Sequence, residues 1–268
     1  EEAQELAKKA LAPLGEEYLH LLDRAFNENW IDVYENKGKT SGAYSWGSYG
    51  THPYMLLNYQ YRLDDVFTLV HEAGHSMHTY FSDSALCYEK AQYRIFVAEV
   101  ASTVNEVLLL KYLLKVTDDK KTRAYLLNHF LEQFRTTVFR QTMFAEFERE
   151  SHRLAEAGES LTVNTLNKVY GDLNRKYYSS AVDTDKYIET EWARIPHFYN
   201  AFYVYQYATG FSAAVAIADM ILSEGQPAVD RYLKFLSSGG SDFPVELLKI
   251  AGVDLSKPDA VISGMKVL

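Results

Sequence analysis

The segment VHEAGHSMHTYF, residues 70–81, places two histidines four positions apart, with a glutamate directly after the first. Residues four apart lie on the same face of an α-helix, so His71 and His75 can present their imidazole rings to one ion. Glu72 then lies about 100° round the helix, where a carboxylate can hold a water molecule and accept its proton. Because the segment is otherwise largely apolar, we predict a buried helix over 63–81 and favour a zinc site over a polar stripe on an ordinary helix.

A hydrolytic zinc site takes three protein ligands and leaves one position for water, so a third ligand must be found. His78 lies one turn beyond His75, but three histidines stepping along one helix to that position span about 10 Å, too far to share an ion. We therefore interpret His78 as an outer residue of the site or as a satisfied residue on the helix face. Position 81 is Phe81, so the pattern HExxHxxGxxH is absent.

Glu99 is the best candidate for the third ligand. It lies in IFVAEVAST, residues 95–103, as a carboxylate among apolar residues on the next predicted helix. An antiparallel return after a loop at 82–89 would bring it over the two histidines. Glu106, two turns further along the same face, is the alternative, either as an outer carboxylate or as a substitute ligand. Glu89 is a weaker alternative because it lies in the loop.

The hydrophobic pattern predicts a mainly α-helical protein in one domain, residues 1–268. Only residues 30–62 are rich in glycine, tyrosine and serine with strand-like spacing, and they predict one β-hairpin with its turn near 50–53. Helices are predicted at 3–29 in two parts broken at APLG, at 63–81 after a cap at Asp64 or Asp65, and at 93–114, 118–157, 162–178 and 200–223, with short helices at the C-terminus.

Composition restricts the classes of protein that remain. The net charge of −9 argues against nucleic-acid binding, which needs clustered lysine and arginine. The single cysteine, Cys87, and an N-terminus without a signal peptide predict a reducing, cytoplasmic location. The most apolar segment, residues 207–222, is too short to cross a bilayer and contains Asp219, so no membrane partner is expected.

Several motifs, in order along the chain, resemble the thimet-oligopeptidase-type metallopeptidases, and most closely the oligoendopeptidase F branch. HEAGH at 71–75 is similar to the zinc-helix motif of that family. Glu99 and Ser102 are similar to the ExxS element that supplies the family's third zinc ligand. Further similar segments are SGAYSWG at 41–47, IPHFYNAFYVYQYATG at 195–210 and GGSDFP at 239–244.

The resemblance implies a multi-helix catalytic domain of the HExxH zinc-peptidase type, with the small sheet near the substrate cleft. It also implies one Zn²⁺ per chain, held by the two histidines and Glu99. In the family, a histidine and tyrosines of the tyrosine-rich segment support the oxyanion, and the matching positions here are His197, Tyr203 and Tyr207. The alternative for the tyrosines is an aromatic core stripe, because Tyr199, Tyr203 and Tyr207 fall four apart.

The function that follows is zinc-dependent endopeptidase activity, with Glu72 as the base that activates the water. Short unstructured oligopeptides are the expected substrates, because an exposed edge strand near residues 41–50 could pair with an extended peptide; a simple hairpin is the alternative. Members of the branch carry a further N-terminal lobe, so the chain resembles their C-terminal catalytic portion and that lobe is an expected partner. Two other functions remain open: a zinc carboxypeptidase of a related HExxH helical type, and an inactive helical fragment that binds peptide or the lobe.

Overall fold

The computed structural model describes residues 1–266, and α-helices dominate it, as the sequence predicts. The helices are α1 (Glu2–Leu11), α2 (Glu16–Asn27), α3 (Leu63–Ala85), α4 (Tyr88–Ala91), α5 (Ile95–Val116), α6 (Lys120–Gln133), α7 (Arg140–Glu156), α8 (Val163–Tyr178), α9 (Tyr205–Glu224), α10 (Gln226–Leu236), α11 (Pro244–Ile250) and α12 (Asp259–Lys266). Segments of 3₁₀ helix are Ala12–Leu14, Ser179–Ala181, Lys186–Arg194 and Pro196–Tyr199. Helices α1 and α2 confirm the helices predicted at 3–29. Helix α5 confirms the one predicted at 93–114, and α8 confirms the one at 162–178.

Within residues 1–266, no helix has both the length and the apolar character that a bilayer span requires.

The chain divides into two compact units. The first combines Glu1–His129 with Gly210–Leu268, and the second is Phe130–Thr209. The first unit contains the HEAGH segment and the sheet, and the second contains the tyrosine-rich segment around His197. The prediction that residues 1–268 act as one catalytic domain stays a prediction.

Helices α3 and α5 form the centre of the first unit and run antiparallel. The side chain of Asn105 in α5 donates to the carbonyl of Val70 in α3 at 2.9 Å, whereas the later Gly74 lies against the earlier Ser102. A Cβ at Gly74 would lie 2.6 Å from both the Ala101 carbonyl oxygen and the Ser102 Cα. Such distances are shorter than van der Waals contact, so only glycine allows the two backbones to approach this closely.

The small sheet has three strands, β1 (Ile31–Asp32), β2 (Tyr44–Trp46) and β3 (Tyr54–Leu56), in the order β1-β3-β2. Strands β2 and β3 pair antiparallel with Ser45 opposite Met55, which confirms the predicted hairpin. Strand β1 pairs parallel to β3 and was not predicted, because two residues are too few to show an alternating pattern. The order leaves β2 at one edge of the sheet.

Helix α3 begins at residue 63, as the sequence predicts, but the predicted cap at Asp64 or Asp65 was wrong. Its first residue is Leu63 and its N-cap is Arg62, so Asp64 and Asp65 lie in the first turn and neither is the cap. The Asp65 carboxylate instead accepts the backbone N–H groups of Arg62 at 2.8 Å and Gln60 at 2.9 Å. An aspartate in the first turn stabilises the helix start through these bonds and through the helix dipole.

The predicted loop at 82–89 is largely helical, and this prediction was wrong. Helix α3 continues to Ala85 and α4 begins at Tyr88, so only two residues separate them. The polar run SDS suggested a loop, but Ser82 is fully buried and its hydroxyl donates to the carbonyl of Ala91. A tertiary hydrogen bond therefore overrides the local preference of these residues.

Two further predicted helices, each with residues in both units, differ from the structure. The helix predicted at 118–157 contains a π-helical segment, Phe134–Phe139. The helix predicted at 200–223 begins only at Tyr205, because Phe202 has φ 57° and cannot continue a right-handed helix. The hydrophobic core of the second unit consists of Met143, Phe144, Phe147, Tyr170, Ile195 and Val204.

Candidate metal centre

The HEAGH segment lies in the middle of α3, where the backbone of α5 approaches closely. Gly74 permits this approach, so α5 passes within backbone contact of the turn that carries His71 and His75. The two imidazole rings lie on one face of α3, with centroids 4.8 Å apart and planes at 83°. Glu99, one turn before Ser102 on α5, faces these rings.

Three ligand atoms converge at this point. Glu99 Oε2 lies 3.5 Å from His71 Nε2 and 3.6 Å from His75 Nε2, and the three ligand atoms lie within 4.8 Å of one another. Ligand atoms about 2.1 Å from a tetrahedral zinc ion are roughly 3.4 Å apart, so the two distances from Glu99 Oε2 are those that a shared ion would require. Two imidazoles and one carboxylate are also a donor set that zinc accepts in hydrolytic sites.

Further hydrogen bonds orient the two side chains that face each other across this cluster. His71 Nδ1–H donates to Glu106, which fixes the ring with Nε2 toward Glu99. The Ser102 hydroxyl lies 3.1 Å from the backbone oxygen of Glu99 and 3.3 Å from its Oε2. Glu106 therefore contacts the side of the His71 ring that faces away from Glu99, which is the position of an outer carboxylate and not of a substitute ligand. Glu99 converges on both rings.

The buried carboxylates control the charge of the histidines. Burial lowers the pKa of His71, but Glu106, Glu99 and Glu72 outweigh it and raise the pKa to about 9. Burial, and then the positive charge on His71, lower the pKa of His75 to about 3. The cluster thus favours one positive charge among its carboxylates, which a divalent ion would supply in place of the proton.

Glu72 is buried beside this cluster and is incompletely partnered. Its side chain is 5% exposed, and Oε2 has no hydrogen-bond partner. Burial is the largest cause that raises its pKa, to about 7, opposed by His71 and assisted by Glu99. A buried carboxylate oxygen without a partner is unfavourable, so it marks a place where a ligand or water is expected.

His78 and Glu89 do not join the cluster. His78 is fully buried and stacks on Tyr93 at 3.6 Å between ring centroids, and neither of its ring nitrogens has a hydrogen-bond partner. The interpretation of His78 as a satisfied residue on the helix face was therefore wrong. Burial lowers its pKa to about 3, so the ring is neutral. Glu89 lies in α4 with its side chain exposed.

The predicted residues His197, Tyr203 and Tyr207 form a cluster of their own in the second unit. Their ring centroids lie 5.9 Å (His197–Tyr203), 6.2 Å (His197–Tyr207) and 5.6 Å (Tyr203–Tyr207) apart, and the two tyrosine hydroxyls are 3.4 Å apart. Tyr199 is 90% exposed in a 3₁₀ segment, so the alternative of a core stripe that includes it is wrong. The catalytic roles of the three clustered residues stay predictions.

One residue near the metal cluster was missed at the sequence level. Asn105 is fully buried in α5 and bonds to the backbone directly before His71. The available signal was an amide within the apolar run of α5, since a buried amide must find partners.

Nearly the whole chain is similar to known peptidases. The model of peptidase family M3 matches residues 3–267. Oligopeptidase PepF of Bacillus subtilis is 55% identical over 266 residues, which are 99% of this chain and 40% of that protein. The plasmid oligoendopeptidase F of Lactococcus lactis subsp. cremoris is 51% identical, over 97% of this chain and 43% of that protein. The crystal structure of oligoendopeptidase-F from Enterococcus faecium has a TM-score of 0.77 and 42% identity, over 100% of this chain and 41% of that chain. The chain thus spans less than half the length of these relatives.

Proposed function

The chain belongs to peptidase family M3, and from that premise we propose that it hydrolyses internal bonds of short oligopeptides at a zinc ion. The observation that carries the proposal is the convergence of His71, His75 and Glu99, with ligand atoms within 4.8 Å of one another. His71, His75 and Glu99 would hold the zinc ion, which would supply Lewis-acid chemistry by lowering the pKa of water toward about 7 and polarising the scissile carbonyl. The names of the relatives, oligopeptidase and oligoendopeptidase, support the substrate class.

Glu72 is proposed as the general base. Its Oε2 is buried without a partner, so it is available to accept a proton from the attacking water. The same carboxyl group then donates that proton to the leaving amine nitrogen. Glu106 holds His71 in the orientation that keeps Nε2 toward Glu99.

Two further parts of the chain are proposed to bind substrate. His197, Tyr203 and Tyr207 would donate hydrogen bonds to the developing oxyanion, a role supported by their clustering and by the family resemblance. Strand β2 would pair with an extended peptide, because it lies at the sheet edge and is tied to α3 by Ser45 Oγ, 2.8 Å from Ser76 Oγ. Backbone pairing requires a peptide without fixed structure, which agrees with short substrates.

A cytoplasmic location is part of the proposal. Cys87 is the single cysteine of the chain, and it is exposed and free. A chain whose single cysteine is an exposed, unpaired thiol is typical of proteins in a reducing compartment.

The test compares Glu72→Gln with Glu89→Gln, an exposed control, on a quenched fluorescent peptide with zinc content measured in parallel. We expect Glu72→Gln to keep zinc and lose about a hundredfold or more in kcat, the usual scale of general base catalysis. Glu99→Ala should lose zinc on dialysis, because one of three ligands is gone. Full activity of Glu72→Gln would contradict the base assignment.

Mass spectrometry of a cleaved decapeptide identifies the bond that is cut. Internal cleavage supports the endopeptidase, whereas release of the C-terminal residue alone would indicate the carboxypeptidase. Zinc binding without turnover would indicate an inactive fragment that binds peptide or the N-terminal lobe of its relatives.

A further inference from the structure

The amide of Asn105 is a buried polar group inside the most apolar part of the first unit. The side chain has 0% exposure, and its neighbours along α5 include the buried residues Val104, Val107 and Leu108. An amide buried without hydrogen bonds is strongly destabilising, so the contacts of this group have to be specific.

Asn105 links three helices through its two amide atoms. Its Nδ2 donates to the Val70 carbonyl of α3 at 2.9 Å, and its Oδ1 accepts the hydroxyl of Tyr18 of α2 at 3.0 Å. Tyr18 is also fully buried. Since the tyrosine hydroxyl is the donor to Oδ1, the amide is held with Nδ2 toward α3.

The bond from Asn105 acts on the backbone directly before the first histidine of the cluster. Val70 precedes His71, and Glu106, which orients the His71 ring, follows Asn105. The hydrogen bond between Asn105 and Val70 therefore lies directly beside the contact between Glu106 and His71. Glu99 lies on the same helix, six residues earlier, and faces both rings.

Away from the close contact of Gly74 with Ala101 and Ser102, the apolar surface of α5 does not distinguish one register from another. The helix buries residues on all sides, including Val97, Val100, Val104 and Leu108, so a displaced arrangement would still bury apolar surface. A slip of one residue would move α5 by about 1.5 Å and rotate it by about 100°. Either change would break the 3.5 and 3.6 Å approaches of Glu99 to the two histidines.

We propose that Asn105 is a positioning residue that sets the register of α5 on α3 and so holds Glu99 and Glu106 in place around the histidines. A single buried amide can select one register among apolar alternatives because only one register satisfies its hydrogen bonds. The proposal rests on the metal site described above.

The test uses the double variant Tyr18→Phe/Asn105→Leu, in which both buried polar partners become apolar. Replacing both partners keeps the core satisfied, so the double variant should fold. The matched control, Tyr18→Phe alone, removes one hydroxyl and leaves the bond from Asn105 to Val70. Zinc affinity is measured by competition with a chelator of known affinity, and melting temperature is measured on the metal-free proteins.

We expect the double variant to bind zinc at least about tenfold more weakly than Tyr18→Phe, the scale of other groups that orient metal ligands. Its melting temperature should be no lower than that of the control. Equal zinc affinity in the two variants would overturn the proposal. A loss of affinity with a matching loss of melting temperature would also overturn it, because Asn105 would then be only structural.

A second measurement does not depend on zinc. In the metal-free protein, the Nδ1–H proton of His71 bonded to Glu106 should give a downfield NMR signal, and that signal should persist in Tyr18→Phe and disappear in the double variant. If wild type binds no zinc, the metal site of the proposed function fails, and the NMR signal alone decides on Asn105. Persistence of the signal in the double variant would show that the register does not need the amide.

Discussion

Two buried glutamates, Glu191 in the second unit and Glu72 in the first, are partnered in opposite ways. A third, Glu148 in the second unit, is 3% exposed and resembles Glu72 because its Oε2 has no hydrogen-bond partner. In the second unit, Glu191 Oε1 accepts from Arg140 at 2.7 Å and from Arg194, and Oε2 accepts from the hydroxyl of Tyr170 at 2.6 Å. In the first unit, Glu72 is also buried, but its Oε2 has no hydrogen-bond partner. The carboxylate of Glu191 thus has its partners within the protein, and that of Glu72 does not.

The pKa values of the two groups express the same difference. Burial raises the pKa of Glu191, but the hydrogen bonds from Tyr170 and Arg140 outweigh it and leave the pKa below its usual value. Burial dominates at Glu72 and raises its pKa to about 7. A compensated buried charge is typical of a structural role, whereas an uncompensated one is retained where something else must bind. The comparison therefore separates Glu191, whose charge is compensated within the fold, from Glu72, whose charge is not.

Two buried helix glycines provide the test with the largest expected effect. A Cβ at Gly74 in the first unit would meet backbone atoms of Ala101 and Ser102 at 2.6 Å, whereas a Cβ at Gly171 in the second unit would meet the side chain of Glu189 at 2.8 Å. Backbone cannot yield, so Gly74→Ala should lower the free energy of unfolding by about 3 kcal/mol. Glu189 can rotate away, so Gly171→Ala should stay within about 1 kcal/mol of wild type. Urea unfolding measures both, and equal effects would contradict the close α3–α5 approach.

The site residues that could be predicted from the sequence are those whose arrangement follows from local helical geometry. His71, Glu72 and His75 lie within one turn and a half of helix, so helical geometry alone placed them together. Glu99 was predicted from its apolar setting and from the family resemblance, and the structure brings it to the two rings. Local periodicity and one antiparallel helix pair were enough for these four residues.

Other features depend on long-range contacts that carry no local pattern. The bond between Asn105 and Val70 joins positions 35 apart in the sequence. The 82–89 segment reads as a loop because its burial of Ser82 is a tertiary effect. Strand β1 has two residues and exists only because β3 pairs with it. Sequence reasoning failed where a distant partner, and not the local residues, decides the conformation.

The charge pair of the second unit provides the next test. Glu191→Gln should lower the free energy of unfolding at pH 7 by about 2 kcal/mol, because it leaves two arginines without their carboxylate partner. The folded pKa of Glu191 lies below its unfolded value of about 4.3, so its contribution is full above that pH and is lost as the pH falls through the folded pKa. Urea unfolding from pH 7 to pH 3 should therefore show the difference between variant and wild type shrinking below about pH 4. A constant difference over this range would show that the charge of Glu191 is not what stabilises the unit.

The smallest effect should have the opposite sign. In metal-free protein at pH 8, Glu72→Gln should raise the free energy of unfolding by about 1 kcal/mol, because a neutral amide is less unfavourable than a carboxylate with an unpartnered buried oxygen. Glu89→Gln, at an exposed position, should change the free energy of unfolding less and should not raise it, because hydrogen bonds hold the pKa of Glu89 below its usual value. The measurement is urea unfolding after treatment with a chelator. If Glu72→Gln destabilised the metal-free protein as Glu191→Gln does, Glu72 would have a partner within the fold, and the contrast between these two glutamates would disappear. A gain in stability together with a loss of kcat would instead show that Glu72 is retained for chemistry at the expense of stability, as expected of a general base in an active site.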